Sequence, residues 1–256
     1  MKFTLGTVFG LAFSVMGKRI GPLLAMIGIV YLGLYIICLI ITLFMAGALG
    51  LENSPLVGYL PALNAVLPVV ALWSTVTDIT LLHAADKPVR IGSLLRTGFG
   101  NILPVLLISA IWVIAVLVGT AFLVIPALLF IVVFQATVPA YIYEKPGILG
   151  AFARSRALTK GHRWGLFGLN LLTNISLSLI SFIGLGVVAI AGSAMFPGDK
   201  ETGEVSGGAS LMILSFTFVI FIFTSLFIPL LNAATYVVLR ADKGEPVSGA
   251  IAKIFE

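Results

Sequence analysis

Asp78, Gln135 and Asn232 are the polar side chains of this sequence best placed to do chemistry. They lie eight, nine and ten residues before the acids Asp86, Glu144 and Asp242, each of which ends a long apolar stretch. Thr77, Thr137 and Thr235 stand close by. At 1.5 Å per helical residue this sets a polar layer roughly 12–15 Å inside the boundary marked by the acids. An ionisable group at that depth is expensive and points to function, so Asp78 suggests proton coupling or a polar pocket, with His83 nearer the boundary on the same helix. The competing reading is interhelical hydrogen bonding at about 0.6–2 kcal/mol per contact. Asn64, Asn170 and Asn174 read as bonds of that kind.

A second set is basic. Arg154, Arg156, Lys160 and Arg163 fall between two apolar stretches, the last three at i, i+4 and i+7. Such a stripe suits anionic lipid headgroups or a membrane partner protein. Catalytic signatures are missing: there is no His-Glu-x-x-His, no Gly-x-Ser-x-Gly, and no glycine-rich phosphate loop before a lysine. His83 and His162 lack metal-ligand spacing, and Cys38 is the lone cysteine, so no metal, cofactor or disulfide is expected. The expectation is a protein that is not an enzyme.

The elements that position these residues follow from hydropathy. Sixty per cent of the 256 residues are apolar and 10% are charged, with a mean hydropathy of +1.17. A soluble domain carries about 25% charged residues, and a water-facing surface cannot be covered with so few. Charge-free runs occupy 20–51, 53–77, 97–143, 164–198 and 205–239, and about 20 apolar residues cross a bilayer. The run 97–143 would reach ~70 Å as one helix, more than twice a hydrocarbon core. It must fold back, here expected around residues 118–120, with Pro126 in the first turn of the returning helix. The result is an all-α polytopic membrane protein with six transmembrane helices. Ala46-Gly47-Ala48 mimics a signal cleavage site, but the apolar stretch before it far exceeds a signal's 7–15 residues, so it reads as a retained span.

With the N-terminus inside, all Lys and Arg except Lys200 fall on the cytoplasmic side, and Asp199, Glu201, Glu204 and Glu52 fall outside. That bias fixes orientation, with both termini in the cytoplasm. No basic soluble face exists for nucleic acid.

The chain also repeats. Asp86-Lys87-Pro88, Glu144-Lys145-Pro146 and Asp242-Lys243-Gly244 mark three exits, followed six or seven residues after the acid by Gly92-Ser93, Gly150-Ala151 and Gly249-Ala250. Gly6-Thr7 stands in the same context, and Pro68 and Pro126 each precede their acid by 18 residues. Leu5, Val8, Phe9, Ala12, Phe13 and Met16 make an apolar helical stripe, matched by Ile91, Leu94, Leu95, Gly98, Phe99 and Ile102. The single transmembrane domain 1–256 is therefore read as three repeats of an amphipathic interfacial helix plus a helical hairpin. Their boundaries are about 1–86, 87–145 and 146–243, with an amphipathic tail at 244–256. Gly184, Gly186, Ala189, Gly192 and Ser193, and Gly28 and Gly33, allow close helix approach. Residues 197–208 read as an external turn.

The segment Pro139-Ala140-Tyr141-Ile142-Tyr143-Glu144-Lys145-Pro146-Gly147-Ile148-Leu149-Gly150-Ala151-Phe152, continued by Arg154-Ser155-Arg156-Ala157-Leu158-Thr159-Lys160-Gly161-His162-Arg163-Trp164, resembles a family of uncharacterised bacterial inner-membrane proteins. That family is related to the membrane domain of some glycerophosphodiester phosphodiesterases. The resemblance implies six spans in a bacterial plasma membrane and supplies no activity. The phosphodiesterase domain itself has no room here. Two functional expectations stand: a non-catalytic membrane component binding lipid or a partner through its basic helices, or a small-solute or lipid transporter using the polar layer.

Single cysteines placed near Lys200 and near Arg156 should label from opposite faces of the membrane with an impermeant maleimide. Labelling from one face would overturn the span assignment.

Overall fold

The computed structural model describes residues 2–48, 50, 60–122, 124–197, 205–245 and 247. Among them every regular element is helical. Six helices or helix runs are long and apolar enough to cross a bilayer: Ile20–Ala48, Val66–Ala84, Ile102–Ala121, Ile125–Glu144, Arg163–Met195 and Gly207–Asp242.

Helix α1 (Leu5–Lys18) starts at Thr4, whose hydroxyl accepts from the Thr7 amide at 3.2 Å while Thr7 returns the bond. This reciprocal box satisfies amide groups that a helix start leaves open. Its buried face is Val8, Leu11, Ala12 and Val15; Phe13, in the expected stripe, stays exposed. The first span is α2 (Ile20–Met26), a π-helical turn (Ile27–Leu32) and α3 (Gly33–Ala48). It returns as α4 (Leu60–Ala84). Interfacial α5 (Ile91–Gly100) buries Leu94 and Gly98 and leaves Ile91 and Phe99 exposed. A Cβ on Gly98 would meet Thr75 Cγ2 at 2.7 Å, so the missing side chain lets α5 lie directly on α4.

The third span, α6 (Ile102–Phe122), runs beyond the expected reversal at 118–120, and α7 (Val124–Phe134) follows at once. Gly119 is not the turn. A Cβ there would lie 2.9 Å from Ala127 N, so its role is close approach of the two helices. Pro126 does fall in the first turn of α7.

The fourth span is broken. α7 stops at Phe134, Gln135 and Ala136 form a turn, and α8 (Thr137–Glu144) continues. Pro139 accounts for it: a proline has no N–H for the carbonyl four residues back, and its ring collides with that carbonyl. In hydrocarbon the freed carbonyls need partners. Ser155 Oγ donates to the Val133 carbonyl at 2.8 Å and Thr137 Oγ1 to the Phe134 carbonyl at 2.7 Å; Thr159 Oγ1 lies 3.4 Å from the Val133 carbonyl, with the Ser155 carbonyl nearer at 3.0 Å. Ser155 and Thr159 belong to α9 (Ile148–Thr159). The break and α9 are thus mutually dependent.

α9 does not continue through Arg163 as the basic stripe implied. Lys160 is extended and Gly161 takes φ +97°, a left-handed conformation natural to glycine. The chain therefore corners into α10 (Arg163–Met195), which pairs with α11 (Gly207–Asp242). Two glycines of the small-residue stripe face this contact. Cβ atoms on Gly184 and Gly192 would meet Phe216 Cζ at 2.3 Å and Ala209 at 3.3 Å, whereas Gly186 faces open space.

The core lies in the second halves of the returning spans: Val70 to Ala84 of α4, most of α8, and Leu230 to Leu239 of α11 are largely buried. The outgoing helices α3, α6 and α10 expose large apolar side chains such as Phe44, Leu117 and Phe182. Water would penalise that arrangement and hydrocarbon would not. All three buried helices end in a left-handed residue: Asp86 (φ 52°), Lys145 (φ 50°) and Gly244 (φ 78°). In the first and third, an amide bonds back to a carbonyl five residues earlier, Lys87 to Leu82 and Glu245 to Arg240, which closes the last turn. The tail expected at 244–256 and the external turn at 197–208 fall mostly outside the described residues.

Replacing Ser155 with Ala and Thr159 with Val together strands the Val133 carbonyl. A loss of about 1–3 kcal/mol is expected for a buried acceptor left without a donor. Unfolding in mixed micelles measures it; an unchanged midpoint would remove the mended break as a determinant of the fold.

Candidate functional site

Two places gather polar side chains. The first lies at the end of the bundle where α1, the α4–α5 link, α9 and the exit of α11 meet. Arg154 Nε bonds Glu144 at 2.9 Å and its Nη2 pairs with Glu245. Arg240 Nη1 lies 3.4 Å from Glu144, and its guanidinium sits over the Tyr143 ring at 4.8 Å. Tyr236 OH donates to Glu144 Oε1 at 2.7 Å and accepts from Arg240 at 3.1 Å. Tyr143 OH donates to the Val247 carbonyl at 3.0 Å. The bond from Arg154 holds the Glu245 carboxyl below the usual carboxylate range. A depressed carboxyl adds stability above its unfolded value and loses it as pH falls through the lower one, so this contact is complete at neutral pH and opens only in acid.

Beside it, Asp242 accepts from the Phe3 amide and from His162 Nε2, both at 2.9 Å. The Phe3 ring lies 5.1 Å from the His162 ring, and Gly165 leaves room for it: a Cβ there would meet Phe3 at 2.8 Å. His83 Nε2 faces Ser14 Oγ at 3.3 Å, and Arg19 donates to the Lys87 carbonyl at 3.2 Å.

The four basic candidates divide. Arg154 is held inside this network. Arg156, Lys160 and Arg163 flank the Gly161 corner, are exposed, and have no ion pair among the described residues. Trp164 and Leu149 stand out next to them at 87% and 79% exposure. An indole beside free cations is the composition of a headgroup-level anchor.

The second place is a cavity of about 330 Å³ between α6, the α7–α8 break, α10 and α11, with Trp73 of α4 in its wall. Gln135 and Asn232 both line it. Asp78 does not; Thr97 of α5 is the polar side chain beside its carboxyl instead. The structure thus brings two members of the polar layer together and turns the third toward the interfacial helix. Thr137 also lines the cavity, while the buried hydroxyls of Thr77 and Thr235 lie elsewhere without partners. The remaining polar wall is Asn170, Thr173 and Asn174 of α10 with Ser109 and Trp112 of α6. Asn170, Thr173, Asn174 and Leu177 fall at i, i+3, i+4 and i+7, a one-face signal present in the sequence. Asn170 Nδ2 donates to Gln135 Oε1 at 2.6 Å, so it is also an interhelical bond. Asn64 likewise accepts from Thr42 at 2.8 Å, joining α3 to α4.

Among the described residues no group of His, Cys, Asp and Glu converges to hold a metal ion. Comparison with protein-family models, curated proteins and solved structures returned no match. The apolar helices are consistent with a multi-pass integral membrane protein, and the two sites carry the functional argument alone.

Glu144→Gln keeps an acceptor for Tyr236 but removes the charge shared by Arg154 and Arg240. A loss of about 1.5–3 kcal/mol per charged hydrogen bond is expected, read as a lower unfolding midpoint in detergent. A midpoint equal to wild type would make the network incidental to stability.

Proposed function

We propose that this chain is a non-catalytic component of a bacterial inner membrane, its basic end in the cytoplasm, that binds anionic lipid headgroups at the α9–α10 corner. The observation that carries this reading is the split among the cations. Arg154 has carboxylate partners from its own chain; Arg156, Lys160 and Arg163 have none among the described residues and stand beside an exposed indole. Each such cation near an anionic surface contributes about 1 kcal/mol. The one-sided distribution of Lys and Arg supports the orientation. The resemblance of residues 139–164 to the bacterial inner-membrane family supports the compartment. Support for three repeats comes from the exit motifs and from the similar burial of α4, α8 and α11.

Transport of a small solute or lipid is the second reading, favoured by the cavity that Gln135 and Asn232 share. Asp78 does not line that cavity, so a proton-coupled path through Asp78 loses the support that a shared depth suggested.

The triple change Arg156→Gln, Lys160→Gln and Arg163→Gln should cut co-purified phosphatidylglycerol and cardiolipin several-fold with the unfolding midpoint unchanged. Arg154→Gln should instead lower the midpoint. Equal lipid recovery from the triple variant would reduce the corner to a topology signal, and recovery of a stoichiometric protein lost with the same variant would assign it to a partner.

A further inference from the structure

The cavity has a chemistry of its own. Among the described residues no Asp, Glu, Lys, Arg or His lines it, and Ile, Val, Leu, Phe and Trp make most of its wall. A charged guest would find no counter-ion at a depth where charge is costly. Three buried polar atoms of the wall residues lack partners, and two of them can only donate. Asn170 Nδ2 donates to both the Leu166 carbonyl, at 2.9 Å, and Gln135 Oε1. Its amide orientation is therefore fixed by a backbone acceptor, and the Gln135 oxygen is consumed. What remains of Gln135 is its Nε2 group, which is buried and has no partner. Trp73 Nε1, which can only donate, and Thr173 Oγ1 are buried without partners as well. Gln135 and Thr173 are 8% and 6% exposed. Native interiors rarely strand buried polar groups, and several around one cavity call for a guest that accepts hydrogen bonds.

The route in is sideways. Val113 of α6 and Asn174 of α10 line the cavity and are also exposed, so its rim faces the surrounding hydrocarbon between those two helices. Gln135 lies nine residues before Glu144, ~13 Å along the span. A lipid with a charged head could not bring its own polar atoms so deep while keeping the head in water.

We propose that the cavity binds an uncharged lipophilic molecule whose polar end consists of carbonyl oxygens, taken up laterally from the bilayer and held by the Gln135 amide, the Trp73 indole N–H and the Thr173 hydroxyl. Neutral diacylglycerol-type esters and quinone-type ketones share this chemistry. The site stands apart from the headgroup reading, because none of the corner cations takes part.

The chain has three tryptophans, Trp73, Trp112 and Trp164, so Trp164→Phe leaves only the two in the cavity wall. Full-length protein carrying this change, in a non-ionic detergent, is titrated with decyl-benzoquinone and, separately, with a diacylglycerol brominated on its chains. Both quench tryptophan on contact. Saturable quenching by either probe is expected, and the stronger one identifies the source. Gln135→Leu and Thr173→Val should each weaken that probe about tenfold, and Arg156→Gln with Arg163→Gln should leave it unchanged. If Gln135→Leu fails to fold, the isosteric Thr173→Val decides. Quenching by neither probe, or saturable quenching that ignores the wall variants, overturns the proposal and leaves the cavity to water.

Discussion

A backbone carbonyl in hydrocarbon must find a hydrogen-bond donor within the protein, because no water is there to supply one. That demand organises this fold at the break in the fourth span. Pro139 cannot continue the helix from Gln135, and hydroxyls bond the carbonyls where α7 stops: Ser155 at Val133, Thr137 at Phe134. The hydroxyls of Ser155 and Thr159 dock α9 against the break. Docked there, α9 presents Arg154 to Glu144 and Glu245. The same turn swings Gln135 out of the regular helix and into the wall of the cavity. Ionic network and cavity therefore share one origin, although they sit at different depths.

Electrostatics divides labour among residues of one type. Arg154 and Arg240 surround Glu144 with the Tyr236 hydroxyl between them, so those charges are spent on holding α8, α9 and α11 together. Arg156, Lys160 and Arg163 lie within a few residues yet have no ion pair among the described residues. Only the free set can answer to an external anion. The cavity follows the opposite logic: among the described residues no charged side chain lines it, and two of its buried unpartnered atoms can only donate.

The spans were legible because length and hydropathy respond to the same quantity, the thickness of hydrocarbon. The short helices α1 and α5 were legible from their spacing, although Leu11 and Val15 lie in the buried face of α1 where Phe13 was expected. What escaped was three-dimensional. Gly119 reads as a turn and acts as a helix contact, because its missing Cβ matters to Ala127, a residue across the hairpin. The basic stripe reads as one helix and bends at Gly161. Asp78 shares a depth with Gln135 and Asn232, but depth does not fix azimuth, and its face of α4 looks toward Thr97. The break at Pro139 was not read from the sequence at all. Its repair by residues about twenty positions downstream was beyond any local pattern.

The hydrogen bond from the Phe3 amide to Asp242 joins positions 239 residues apart, which has a consequence for biogenesis. Asp242 follows all six spans in order of translation. The opening segment must therefore wait, with its α1 docking face of Val8, Ala12 and Val15 incompletely covered, until the last span has been inserted. The contact between α1 and α11 is thus among the last to form, and α1 depends on the final span for part of its cover.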